Sequence, residues 1–221
     1  MLLSSLSAFV FATVIGLLPI INPLSTTALL LAITHDLTPA ERKRQVTLAC
    51  AYQVGILTTF LLAGELIMTT FGISIPGLQI AGGLVVSFIG FRMLFPDEQP
   101  LPRKVHEEAR AKPDVAFTPL AMPMLAGPGS IAVVIGMSSS IRDLSRGAMW
   151  MGFVSVIIGI LITSVVCWLT LRSAGWVQRT LGTGGVSAVG RIMGFLLICL
   201  GVQFIINGIS SVVHGFSTTL I

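Results

Sequence analysis

Apolar residues run through most of the chain in long stretches, separated by short polar loops. Residues 46–64, 71–91 and 192–213 contain no charged side chain, and a membrane-spanning helix needs about 20 mostly apolar residues. Extended to neighbouring apolar positions, the pattern predicts six spans, over residues 2–33, 46–70, 71–95, 115–137, 147–171 and 186–213. We therefore predict an all-α integral membrane protein.

The first apolar run is too long to be one straight span. A continuous helix over residues 2–33 would measure roughly 48 Å, whereas the hydrocarbon core is about 30 Å thick. Pro19 and Pro23 divide the run, because proline inside a helix costs about 3 kcal/mol. We expect a first helix that ends near Leu18 and a second that starts at Asn22-Pro23, since Asn is a favoured N-cap and Pro a favoured first residue.

The fourth predicted span has a matching break. Gly127-Pro128-Gly129-Ser130 aligns with Asn22-Pro23-Leu24-Ser25 at an offset of 105 residues, and the Gly83/Gly90 pair recurs as Gly194/Gly201 at an offset of 111. Each half holds three spans, an odd number, so the second half enters the membrane from the opposite side. Inverted repeats with interrupted helices at corresponding positions indicate a secondary transporter with its site near the midplane.

These features divide the chain into two three-helix repeats, at residues 1–95 and 115–221, joined by a cytoplasmic linker at residues 96–114. The linker is the one extended polar segment, with mixed charge and four prolines. We predict no soluble domain besides.

Composition and charge agree with a membrane protein. The chain of 221 residues is 54% hydrophobic and 10% charged, whereas about a quarter of a soluble domain is charged. The net charge of +4 does not indicate nucleic-acid binding, because the basic residues sit in short loops. Of the 13 Lys and Arg residues, eleven follow the first, third and fifth spans, which predicts that both termini face away from the cytoplasm.

The two breaks are the candidate substrate site. A helix that starts inside the membrane presents unpaired N–H groups and the positive end of its dipole, which favours a carboxylate. The interior of the spans carries no cation, so a small solute without net charge, such as a zwitterionic amino acid, fits best. The candidate substrate-binding residues are Asn22, Pro23, Ser25, Thr26, Gly127, Pro128, Gly129 and Ser130. Whether Asn22 binds substrate or only caps its helix stays open.

Other polar residues in the spans are few. Glu65 is the one acidic residue within a span, and it is either a carrier for proton coupling or a residue facing water near the interface. We expect Gln53, Gln79, Gln203 and Asn207 to form hydrogen bonds between helices rather than to bind substrate. The sequence shows neither a metal-ligand spacing nor an enzyme motif, so we predict no catalytic residue, no metal and no cofactor, with H⁺ or Na⁺ as candidate coupling ions.

Several stretches resemble the MarC family of bacterial inner-membrane proteins. They are Pro19-x-x-Asn22-Pro23, residues 71–83 (FGISIPGLQIAGG), Ala126-Gly127-Pro128-Gly129-Ser130, and residues 194–197 and 201–208. The resemblance covers nearly the whole chain. It implies a six-span, multi-pass protein of the inner membrane, related to transporters of small neutral amino acids such as glycine and alanine.

The leading hypothesis is a secondary transporter of small neutral amino acids or similar metabolites. One alternative is an exporter of drugs or toxic metabolites that uses Glu65 for proton coupling; another is a non-transporting accessory protein linked to antibiotic stress. Substrate identity, direction of transport, coupling ion and oligomeric state stay open at this point.

Overall fold

The computed structural model describes residues 2–34, 37–95, 115–142 and 145–219, and in these ranges it is helical apart from short connections. The predicted linker at residues 96–114 lies outside the described residues. The helices are α1 (Leu2–Ile21), α2 (Pro23–Ile33), α3 (Pro39–Thr70), α4 (Ile75–Leu94), the irregular α5 (Ala116–Leu125), α6 (Pro128–Arg142), α7 (Arg146–Arg172) and α8 (Ala174–Thr219). In α5 the backbone of Thr118 and Met122 is extended rather than helical.

Four of these helices contain a segment that is long and apolar enough to cross a membrane alone: Pro39–Gly64, Ile75–Leu94, Ala148–Arg172 and Ser187–Val213. Two bent pairs pass the same test together. The segment Ser7–Ile21 meets α2 at an angle of 42°, and α5 meets α6 at 59°. The described residues therefore hold between four and six spans, and both bends fall at the breaks that the sequence predicted.

Local capping chemistry explains where the helices begin. Thr38 and Glu41 form a reciprocal capping box at the start of α3, with Pro39 in the first turn. This arrangement satisfies two backbone donors that a helix start leaves without partners. The first break differs from the prediction, because α1 continues past Leu18 to Ile21. Pro19 does not end the helix, since the backbone N–H of Asn22 still donates to the carbonyl of Leu18 at 2.9 Å.

The long helix α8 also contains a change of direction. Gly182 has φ 64° and ψ 175°, which separates a short first segment from the apolar span that follows. The sequence predicts a glycine-rich turn here, and Gly182 adopts the left-handed φ that glycine tolerates without a steric penalty.

Most of the packing between helices joins an element of the first half to one of the second half, although α7 also packs on α6 and α8. The α4–α8 pair is antiparallel, with Gly83 against Gly201 and Gly90 against Gly194. Helix α1 packs on α7, and α3 packs on α5, α6 and α7. Helix α2 packs on α8, and α4 packs on α6. Small residues at such contacts let membrane helices approach closely.

The outer surface is strongly apolar. Large side chains that are more than half exposed include Phe11, Leu66, Phe88, Trp150 and Phe195. A water-soluble monomer rarely exposes extended apolar patches of this kind, whereas a lipid-facing surface consists of them. The buried residues form one core, centred on leucines such as Leu17, Leu57, Leu120 and Leu171.

Candidate functional site: two helix breaks and a cavity

Asn22 forms the first break. It has the left-handed backbone conformation, with φ 43° and ψ 69°, and its side chain caps α2 by accepting from the backbone N–H of Ser25 at 3.3 Å. Its amide nitrogen donates to Ser25 Oγ at 2.9 Å and lies 3.8 Å from Met93 Sδ in α4. The capping role of Asn22 is therefore present, and its amide is buried at the junction of α1, α2 and α4.

The other first-break candidates lie in the first turn of α2. Pro23 is the first helical residue and is buried, whereas Ser25 is half-buried. The hydroxyl of Thr26 donates to the carbonyl of Asn22 at 3.1 Å. Ser25 Oγ faces α8, where a Cβ placed on Gly190 would come within 3.2 Å of it. Of this group, Ser25 thus has the most accessible hydroxyl.

Gly127 forms the second break, which has no side-chain cap. The hydroxyl of Ser130 donates to the carbonyl of Gly127 at 3.0 Å, and the backbone N–H of Ile131 donates to the same oxygen. Within the described residues, the backbone N–H groups of Gly129 and Ser130 make no hydrogen bond. Both residues are buried, whereas Pro128 is exposed. A helix start with unpaired, buried N–H groups attracts an anionic or carbonyl oxygen.

The two breaks are neighbours. A Cβ placed on Gly129 would lie 2.8 Å from Val86 Cγ2 in α4 and 3.1 Å from Ile20 Cγ2, two residues before Asn22. A Cβ on Gly127 would collide with the carbonyl oxygen of Pro123. Only glycine fits at these two positions, and the close approach brings the start of α6 beside the end of α1.

A cavity of about 340 Å³ opens between α1, α4, α6 and α8. Its polar lining residues are Gln79, Ser140 and Asn207. Its deeper wall includes Gly82 and Ala132, which are in contact with each other. Ala132 lies one turn beyond the start of α6, so the inner wall of the cavity stops about one helical turn from the second break. The volume is at the lower end of the range for small-molecule sites.

The cavity shows what the sequence interpretation missed. Gln79 and Asn207 both line it, and Gln79 Oε1 is buried without a hydrogen bond among the described residues. The predicted interhelical bonds of Gln203 and Asn207 are wrong, since the Gln203 amide donates to Asn207 Oδ1 at 2.8 Å within α8, one turn away. The buried amide of Gln53 likewise has no hydrogen-bond partner among the described residues. The sequence feature that could have indicated this cavity is the presence of amide side chains inside apolar spans.

Glu65 lies in α3, but its side chain falls outside the described residues. Its predicted part in proton coupling stays a prediction. The described residues contain no group of three or more His, Cys, Asp or Glu side chains able to hold a metal ion.

Comparison with known proteins identifies the family. The model of the MarC family of integral membrane proteins matches residues 7–213, which include both breaks and the cavity. The chain belongs to the MarC family. The resemblance found in the broken stretches is thereby confirmed.

Curated MarC family relatives align with this chain over nearly its full length. The inner membrane protein MarC of Escherichia coli K12 is 47% identical over 206 residues, covering 90% of this chain and 93% of that protein. The proteins of the same name from Escherichia coli O1:K1 and Shigella flexneri show the same identity and coverage. No solved structure matches.

Proposed function

We propose that this MarC family protein is a secondary transporter of small neutral amino acids or similar metabolites in the bacterial inner membrane. The observation that carries the proposal is the cavity of about 340 Å³ that stops one turn short of an interrupted helix. Beyond its inner wall lie the unpaired N–H groups of Gly129 and Ser130. A substrate carboxylate that reached them would be held by the positive end of the α6 dipole, as at other helix starts.

The substrate class follows from the charges around the cavity. The described lining residues are apolar or uncharged, with Gln79, Ser140 and Asn207 as the polar groups. A solute with net charge would lose much hydration energy there without a counter-charge. A small zwitterion can place its carboxylate at the helix start and its ammonium group against amide and hydroxyl oxygens. The volume favours a compact solute such as glycine or alanine.

The helix pairing supports an inverted repeat. In such a repeat the helices α1, α2, α3 and α4 correspond to α5, α6, α7 and α8. The contact of α1 with α7 then corresponds to that of α5 with α3, and the contact of α2 with α8 to that of α6 with α4. The α4–α8 pair maps onto itself, because Gly83–Gly201 becomes Gly194–Gly90 at the 111-residue offset. Rocking of one half against the other would then expose the breaks to each side in turn.

Orientation and coupling complete the proposal. The distribution of Lys and Arg favours non-cytoplasmic termini, so the cavity would open to the non-cytoplasmic side, toward which α6 runs. Transport needs no bound cofactor and is driven by an H⁺ or Na⁺ gradient. The protein acts as a carrier rather than an enzyme, and its partners are the solute and the bilayer.

The test is transport by purified protein in liposomes. We expect radiolabelled glycine or alanine to enter by counterflow when the same unlabelled amino acid is loaded inside. Protein-free liposomes are the control for leakage. Absence of flux for every small neutral amino acid, in both orientations and at several pH values, would overturn the amino acid proposal.

A further inference from the structure

A second cavity lies at one end of the helix bundle, where α3 begins, α7 ends and α8 begins. It has a volume of about 330 Å³, and its lining includes Arg42, Lys43, Arg172, Arg179 and Trp176. The residues that line it include no carboxylate in the described part of the chain. Four cations around one cavity predict an anionic occupant, because like charges this close destabilise one another unless an anion neutralises them.

Two of the four cations are already oriented. Arg42 donates from Nε to Thr34 Oγ1 and from Nη2 to the Thr34 carbonyl, both at 2.8 Å. The guanidinium of Arg172 lies over the ring of Trp168, 4.8 Å from its centroid. These contacts fix the positions of both guanidinium groups and leave part of each available to a further acceptor.

The other two cations are not engaged. The side chains of Lys43 and Arg179 form no hydrogen bond or ion pair within the described residues, and both residues are exposed. The nearby carboxylate of Glu41 is occupied instead by the backbone N–H and hydroxyl of Thr38, at 2.8 and 2.7 Å. Lys43 and Arg179 thus supply full positive charge, which outweighs the partial negative charge of roughly half a unit at the end of α7.

Two tryptophans indicate the position of this cavity relative to the lipid bilayer. Trp176 lines it and is 69% exposed, and Trp168 donates from Nε1 to Thr47 Oγ1 at 3.0 Å. Tryptophan side chains concentrate at the level of lipid headgroups, and basic pockets between membrane helices bind phosphate-bearing headgroups.

We propose that this cavity binds the phosphate group of an anionic phospholipid, with Lys43 and Arg179 as its principal contacts and Arg42 and Arg172 as oriented donors. The lipid headgroup and a soluble phosphate ion would both present anionic oxygens to these cations. The exposed Trp176 in the lining favours the lipid, whose acyl chains can cover its ring. This site is separate from the proposed transport cavity and does not depend on it.

The experiment titrates purified, delipidated protein in detergent with dioleoylphosphatidylglycerol. Matched titrations use dioleoylphosphatidylcholine, which has the same acyl chains without net charge, and inorganic phosphate. The readouts are the shift in thermal unfolding midpoint and the number of lipids retained in native mass spectrometry. We expect phosphatidylglycerol to stabilise the protein and to be retained, and the other two probes to do neither.

Variants locate the site. The double variant Lys43→Ala with Arg179→Ala should bind phosphatidylglycerol roughly tenfold or more weakly, since each surface cation adds appreciably to anionic-lipid affinity. Arg92→Ala with Arg191→Ala removes the same charge from exposed residues outside the cavity and should bind like the wild type. The charge-conserving pair Lys43→Arg with Arg179→Lys should retain binding, which separates loss of charge from loss of folding.

Three results would overturn the proposal. They are equal stabilisation by phosphatidylcholine, an equal loss of binding in the Arg92/Arg191 control, and stabilisation by inorganic phosphate that matches the lipid. The last result would assign the cavity to a soluble anion instead.

Discussion

Gly83 and Gly201 lie face to face at the crossing of α4 and α8. A Cβ placed on either residue would come within 2.5 Å of the carbonyl oxygen of the other. Gly90 and Gly194 repeat the arrangement two turns away, at 2.6 and 2.7 Å. Each glycine therefore permits a backbone-to-backbone approach that no larger residue allows, and the four together hold α4 and α8 in contact.

Gly83→Ala should destabilise the protein by about 1–3 kcal/mol, because the new methyl group overlaps the backbone of α8 and forces the helices apart. Gly55→Ala is the matched control, since a Cβ at Gly55 in α3 has no atom within 4 Å. The control should be neutral or up to about 1 kcal/mol more stable. Equilibrium unfolding in detergent measures both, and equal effects would contradict the tight α4–α8 contact.

Gly136→Leu should block transport without loss of stability. Gly136 lines the cavity between α1, α4, α6 and α8, and a Cβ there meets no atom within 4 Å, so a leucine side chain has room to enter the cavity. We expect counterflow to fall at least tenfold in a variant that unfolds at the wild-type temperature. Gly55→Leu makes the same exchange away from the cavity and should transport normally. Full activity in Gly136→Leu would exclude the cavity as the substrate route.

The Asn22 series separates capping from backbone conformation. Asn22→Gly keeps the left-handed conformation and loses the side-chain cap, at a cost of a few tenths of a kcal/mol. Asn22→Ala keeps the Cβ at φ 43° but loses both the cap and the local side-chain hydrogen bonds that offset its left-handed strain, for a total of roughly 2–3 kcal/mol. The thermal unfolding midpoint should be highest for the wild type, lower for Asn22→Gly and lowest for Asn22→Ala. An Ala variant as stable as the Gly variant would be evidence against the left-handed conformation at this position.

Ser130→Ala should lower the apparent substrate affinity in transport while lowering the free energy of unfolding only slightly. Its hydroxyl makes one local bond, to the carbonyl of Gly127, worth about 1 kcal/mol. If the hydroxyl also binds substrate at the helix start, the apparent substrate affinity should fall several-fold, and Ser25→Ala should add to the loss. Ser138→Ala is the control on the same helix, because its hydroxyl is buried without a hydrogen bond. Equal transport in both variants would assign Ser130 a structural role only.

Glu65→Gln tests the coupling prediction. If the carboxylate carries the proton, the variant should lose accumulation driven by a pH gradient and keep counterflow, which requires no net proton movement. Glu41→Gln removes an exposed carboxylate from the start of the same helix and should retain both activities. Accumulation that still follows the pH gradient in Glu65→Gln would exclude the residue as the proton carrier.

Local chemistry explains why much of this structure is predictable from the sequence. The Asn22 cap, the Thr38–Glu41 box and the bend before Pro128 each depend on residues within a few positions of one another. Their energies are set by covalent geometry and short-range hydrogen bonds. The end of α1 was predicted too early, because a helix tolerates proline when the following N–H groups still find acceptors.

The sequence by itself therefore determined the helical class, the positions of the two breaks and the repeated glycine pairs. Only the tertiary structure decided which glycines are in contact: Gly83 pairs with Gly201 rather than with another glycine of α8. It also brought Gln79 and Asn207 to one cavity and four cations to another. These groups are distant along the chain, and they meet because the helices cross where small residues permit the closest packing.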